Sequence, residues 1–139
     1  MTAKGAGGED GRRPEDTARR ERGLAKASEV YGWEFKDGPG DWWAMTVDHL
    51  FATVWDREGL SLRDRRLLLL GILAGQGLDD VAELQADAAL RVGDLTAEDL
   101  REIVIFITHY VGWPLGAKLN SAVEKLLARG RAGGTQSEQ

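Results

Sequence analysis

A chain of 139 residues with 18 Lys plus Arg, 23 Asp plus Glu and a formal net charge of −5 is long enough for one domain around a single modest core. It has no cysteine, which excludes disulfides, thiolate nucleophiles and cysteine zinc sites together, and its two histidines, His49 and His109, leave little for an imidazole metal site. Residues 1–28 carry seven basic and five acidic side chains and the remainder eleven and eighteen, so the body is acidic where phosphate binding needs a cationic face, and no nucleic-acid partner is expected.

Residues 1–14 are rich in Gly, Arg and acids and end at Pro14, and they read as a disordered arm. No apolar run follows the initiating Met, so no secretory signal is expected and the cytoplasm is the default compartment. The most apolar stretch, Leu67 to Ala74, is far short of the roughly twenty residues of a membrane span.

A first helix is expected over 15–31, where Leu24, Ala27 and Tyr31 recur at helical spacing before Gly32. The turn cluster KDGPGD at 36–41 precedes a helix from Trp42 to Trp55, in which Trp43, Val47, Leu50, Phe51 and Val54 recur at three- and four-residue steps. Ser61 with Asp64 is an N-terminal capping signature for a helix ending near Gly75. Asp80 with Glu83 signals another, over 80–92, stopped by Gly93. Thr96, followed by Glu98 and Asp99, opens a helix so apolar from Ile103 to Ile107 that it should lie centrally in the core. Gly112 and Pro114 interrupt it, and a last helix covers 115–129, with 131–139 as a disordered tail. No strand alternation and no internal repeat occurs. The fold class is therefore all-α, a single-domain helical bundle over 15–130.

Four segments, taken in order, point to one family. These are RGLAKASEVYG at 22–32, VWDREGLSLRDRRLLLLGILA from Val54, ELQADAALRVGDLTAEDLREI from Glu83, and YVGWPLGAKLNSA from Tyr110. Together they resemble the carboxymuconolactone decarboxylase family, a branch of the alkylhydroperoxidase D-like superfamily. The resemblance covers about residues 22–127. It implies an all-α subunit with an antiparallel helical hairpin, assembled as a homotrimer or homohexamer with pockets near the interfaces, and no cofactor. It also marks departures. Family decarboxylases place a His where this chain has Asp87, and members with the Tyr-x-Gly-Trp-Pro segment commonly have one where this chain has Phe106. The CxxCxxxH motif of the thiol peroxidases falls on Asp80, Glu83 and Asp87, so a thiol peroxidase is excluded.

The candidate catalytic residues are His109, Asp87, Glu102 and Glu83. Asp80, Glu83 and Asp87 share one helical face, either as coupled acids able to shuttle a proton or as capping and dipole-complementing groups. Asp87 borders the apolar stripe of Leu84 and Leu90, so burial against a cavity is expected. Glu102 and His109, seven residues apart, share a face as well, with His109 a general acid or base or else a hydrogen-bonded packing residue. A carboxylate partner for His109 is expected among Glu83, Asp87 and Glu102. The candidate binding residues are Arg65, where the resemblance places a family Arg, and Trp55, Tyr110 and Trp113, which could wall a flat apolar pocket or serve packing.

These residues support two readings. The first is a lyase or isomerase that acts by proton transfer on a small organic acid, lactone or aromatic, polyketide-like compound. The second is a non-catalytic oligomer that binds an aromatic ligand or has a structural role. Neither reading requires a metal, a nucleic acid or a membrane.

Overall fold

In the computed structural model of the protein the described residues run from 11 to 135, with side chains described from 11 to 131. Most of the expected arm and the end of the expected tail lie outside them. The described residues are helical, with no strand among them: α1 Pro14–Tyr31, α2 Asp41–Ala44, a π-helix Met45–Val54, α3 Leu62–Gly75, α4 Asp79–Val92, α5 Ala97–Val111 and α6 Trp113–Thr135. No described helix is long and apolar enough to cross a membrane.

Local signals set several ends as expected. Gly32 and Gly93 close α1 and α4 in the left-handed region, at φ 74° and 83°. The Ser61 hydroxyl accepts from the Asp64 N–H at 3.0 Å to open α3. Thr96 and Asp99 form a reciprocal capping box at the start of α5.

Four expectations are corrected. The segment after Trp42 does not continue as an α-helix, because from Met45 it runs in the wider π register, closing with Trp55 N–H to Leu50 O at 2.9 Å. The wider turn shifts the inward face to every fourth residue. Val47 and Phe51 are buried and Trp55 stacks on Phe51, while Leu50 and Val54 turn outward. Asp80 and Glu83 do not cap α4. Leu78 holds the N-cap position without a side-chain bond, and the Asp80 carboxylate accepts from the neighbouring Val81 N–H. The last helix starts at Trp113, with Pro114 in its first turn, and passes through Gly130 to Thr135.

The fourth correction concerns the centre of the core. α5 buries only Leu100, Val104 and Thr108. The central helix is α4, which packs on α1, α3 and α6 and buries Ala82, Ala86, Ala88 and Ala89. Alanines suit a helix that other helices approach from several sides. The main cluster adds Leu70, Leu73, Leu119, Val123 and Leu126 around them. α5 and α6 run antiparallel, since Arg101 pairs with Glu124 at 2.9 Å while Thr108 meets Gly116. A Cβ on Gly116 would overlap the Thr108 side chain, so the glycine sets the helix spacing there.

A second, smaller cluster joins α1 to the π-helix. Ala27, Val30 and Phe51 are buried in it, and Tyr31, Phe35 and Trp55 pack against them. Above it Arg20, itself buried, donates through Nε to both Asp37 oxygens at 2.9 and 3.1 Å, through Nη1 to Asp48 at 3.2 Å, and through Nη2 to the Gly38 carbonyl at 3.0 Å.

Arg66 joins the two parts. Its side chain has 0% exposure. It donates to Gln85 Oε1 at 2.8 Å, to the Val30 carbonyl at 2.5 Å and to Asp94 Oδ2 at 3.1 Å. Removing one partner of a buried charge pair leaves the other uncompensated, at about 3–5 kcal/mol. Arg66→Met should therefore lower unfolding free energy by about that amount in urea denaturation. Arg91→Ala, which breaks the exposed pair with Asp87, should cost under about 1 kcal/mol.

Acid should weaken the Arg20 cluster. The Arg20 guanidinium, helped by the Gly38 N–H, holds the Asp37 carboxyl below its ordinary 3.8. A carboxylate whose pKa is lowered on folding stabilises the fold fully above its unfolded value, and that stability is lost as pH falls through the folded one. Melting temperature should accordingly drop below about pH 4. Asp37→Asn should flatten part of that drop, the Asp99 and Glu124 carboxyls, also lowered, keeping the rest.

Candidate small-molecule sites

A groove of about 930 Å³ lies between α3 and α5. Leu67, Leu68, Ile72, Ile103, Phe106 and Ile107 give it apolar walls. Its charged lining, Arg63, Asp64, Asp99 and Glu102, comes from the N-terminal halves of the two helices, so polarity is concentrated towards one end. Asp99 is fixed there as an anion. The Thr96 backbone N–H, 2.9 Å from its carboxylate, holds it below the usual carboxylate range, and the Arg63 charge adds to the effect. Glu102 makes no hydrogen bond or ion pair among the described residues, which leaves its carboxyl available to a ligand.

The candidates read from the sequence do not converge. Glu102 lines the α3–α5 groove. Glu83 is committed to an ion pair with Arg129 of α6 at 2.6 Å. Asp87 is half-exposed rather than buried. It pairs with Arg91 one turn along α4 at 2.7 Å and lines a different cleft, between α4 and the end of α6, with Arg129 and Arg131. The carboxylate at the edge of the stripe thus satisfies itself locally.

His109 has none of the three acids as a partner. It is exposed, and its Nδ1 lies 2.7 Å from the Ile105 carbonyl in the preceding turn. Tyr110 and Trp113 are exposed as well, at 81% and 67%. Trp113 meets the His109 ring edge-on, and Tyr110 lies against Phe106. Trp55 belongs to the α1–π-helix cluster, away from every cavity described here. Arg65 bonds the Leu60 carbonyl at the entry to α3 and lines none of these cavities.

Two arginines of the same RDRR segment therefore matter more than Arg65. Arg66 is the buried one, and Arg63 faces the groove. A signal for Arg66 was present in the sequence. It precedes Leu70 by four residues and Leu73 by seven, on the stripe that becomes the core face. Arg63 had no such signal, because its place depends on how α5 packs. No group of three or more potential metal ligands occurs among the described residues.

A model of the carboxymuconolactone decarboxylase family matches residues 41–125, well over half of the chain. That span contains α2, the π-helix, α3, α4 and α5 and most of α6, and so includes the whole α3–α5 groove. No curated protein and no solved structure matches the chain at a significant level.

Proposed function

The chain belongs to the carboxymuconolactone decarboxylase family, and we propose that it binds a small organic acid or lactone in the α3–α5 groove and acts on it by proton transfer, as a decarboxylase or isomerase. The observation that carries this reading is the groove's division into apolar walls and a charged end holding both Arg63 and the unpaired Glu102. An apolar or aromatic ring fits the Leu, Ile and Phe walls. Its carboxylate or developing enolate meets Arg63, close to the positive ends of two helices. Glu102 then gives or takes the proton at the carbon that becomes a carbanion. Asp99, held ionised by Thr96, does not compete for that proton.

Ligand binding and chemistry separate in this arrangement. Arg63→Met removes a charge-assisted contact worth about 1.5–3 kcal/mol and should weaken binding of a cyclic carboxylic acid by roughly tenfold or more. Glu102→Gln keeps the shape and should lower kcat by about a hundredfold or more with little change in KM. A panel of lactone acids and β-keto acids, assayed for carbon dioxide release and for loss of the lactone chromophore, reads both. Turnover indifferent to Glu102→Gln would remove the chemistry from this groove.

The groove leaves Leu68, Ile72 and Phe106 exposed, and the exposed Tyr110 lies against Phe106 beside it. Exposed apolar groups gathered beside a groove mark an interaction site. A second copy of the chain covering it would close the site, as a homotrimer or homohexamer would. Light scattering at micromolar concentration should return such a multiple of the 15.2 kDa chain, and Phe106→Glu should shift it towards the monomer. A monomer mass for the unaltered protein would overturn the assembly.

A further inference from the structure

His109 is anchored so that one ring nitrogen is left over. Its Nδ1 lies 2.7 Å from the Ile105 carbonyl oxygen, which can only accept. Nδ1 therefore carries a proton, and in the neutral ring Nε2 is an acceptor with no partner. Trp113 stands edge-on to the imidazole, with centroids 5.6 Å apart and planes at 77°. Both side chains line a cavity of about 350 Å³ at the crossing of α5 and α6.

At its wall Gly116 lets α6 approach Thr108, whose hydroxyl is already committed to the Val104 carbonyl at 2.6 Å. Asn120 lines it too, and its carboxamide makes no hydrogen bond among the described residues. Val104, Ile105 and Ala117 complete an apolar lining that holds no Asp, Glu, Lys or Arg. No residue lines both this cavity and the α3–α5 groove. The volume is at the lower end of the roughly 300–1,000 Å³ of small-molecule sites, room for one or two rings.

We propose that this cavity is a second site, for a small neutral hydroxyaromatic compound, a phenol or enol. One hydroxyl satisfies both free groups: it donates to His109 Nε2 and accepts from the Asn120 amide, while the ring packs against Trp113 and the Ile105 side chain. A carboxylate finds no Lys or Arg here, unlike the groove with its Arg63.

Fluorine NMR titration of the full chain with 4-fluorophenol and with 4-fluoroanisole tests this. The phenol should give a saturable shift, and the anisole, which has no hydroxyl to donate, should bind at least tenfold more weakly. His109→Phe keeps a ring and removes the acceptor, so it should weaken phenol binding by a similar factor. Asn120→Ala, at an exposed position, should weaken it as well if the first variant fails to fold. Phe106→Ala in the groove should leave phenol binding unchanged. Equal binding of the two probes, no saturable binding of the phenol, retention of binding in both His109→Phe and Asn120→Ala, or loss of binding in Phe106→Ala would each overturn the proposal. None of these outcomes bears on turnover in the groove.

Discussion

The Arg66 guanidinium is taken wholly out of water, and a charge in that position must find its partners within the protein. It finds them at two helix ends. The Val30 carbonyl is in the last turn of α1, where backbone acceptors have no partner within the helix, and Asp94 follows the left-handed Gly93 that closes α4. Both ends carry the negative pole of a helix dipole, so the cation is favoured there beyond its individual hydrogen bonds. Gln85, from the buried face of α4, supplies a third acceptor, and only the Arg66 Nε is left without one. One side chain of α3 therefore ties together the end of α1, the buried face of α4 and the start of the loop into α5. That loop leads to Thr96 and its capping box, which in turn places Asp99 and Glu102 in the groove.

Much of this was legible locally. Ser61, Thr96, Gly32 and Gly93 act within a few residues of themselves, and their roles follow from capping and backbone sterics alone. The all-helical class followed from periodicity in the same way. What was not legible depended on which helix other helices surround. Alanine-rich α4 looked less like a core element than apolar α5, yet small residues are what close packing on several sides requires. The π register was equally hidden, since an apolar residue at every third or fourth position suits either helix until the Phe51 and Trp55 rings are seen stacked in the cluster.

The candidate site was legible only in part, for a related reason. Carboxylates on α4 looked expensive because they bordered an apolar stripe. The stripe proved narrow, and each acid reached an arginine, Glu83 across to Arg129 and Asp87 along to Arg91. These are the positions where the family resemblance leads one to look for cysteine or histidine. Here they hold charges that satisfy one another and tie α4 to α6. A carboxylate engaged by a guanidinium has its acceptor oxygens already taken and is not free to meet a ligand. Glu102 carries no such engagement, and that difference decides between the two sets of acids.

The misplacement of α5 in the core also has a physical reading. A helix with Ile103, Val104, Ile105, Phe106 and Ile107 in succession is apolar around its whole circumference, and such helices are covered on all sides. Within one chain α6 covers one side and α3 part of another, while Ile105, Phe106 and Tyr110 remain in water. The periodicity argument took an apolar circumference to mean burial on all sides, whereas within the chain only one face of α5 is buried. If a second copy supplies the rest, the groove beside Phe106 becomes an enclosed space with Glu102 and Arg63 at one end. Enclosure is also what acid–base chemistry at carbon needs, because excluding water strengthens each charge that acts on the reacting atoms. Under the proposed assembly, closure of the groove and its chemistry would rest on the same stretch of α5, the exposed Phe106 and the Glu102 one turn before it.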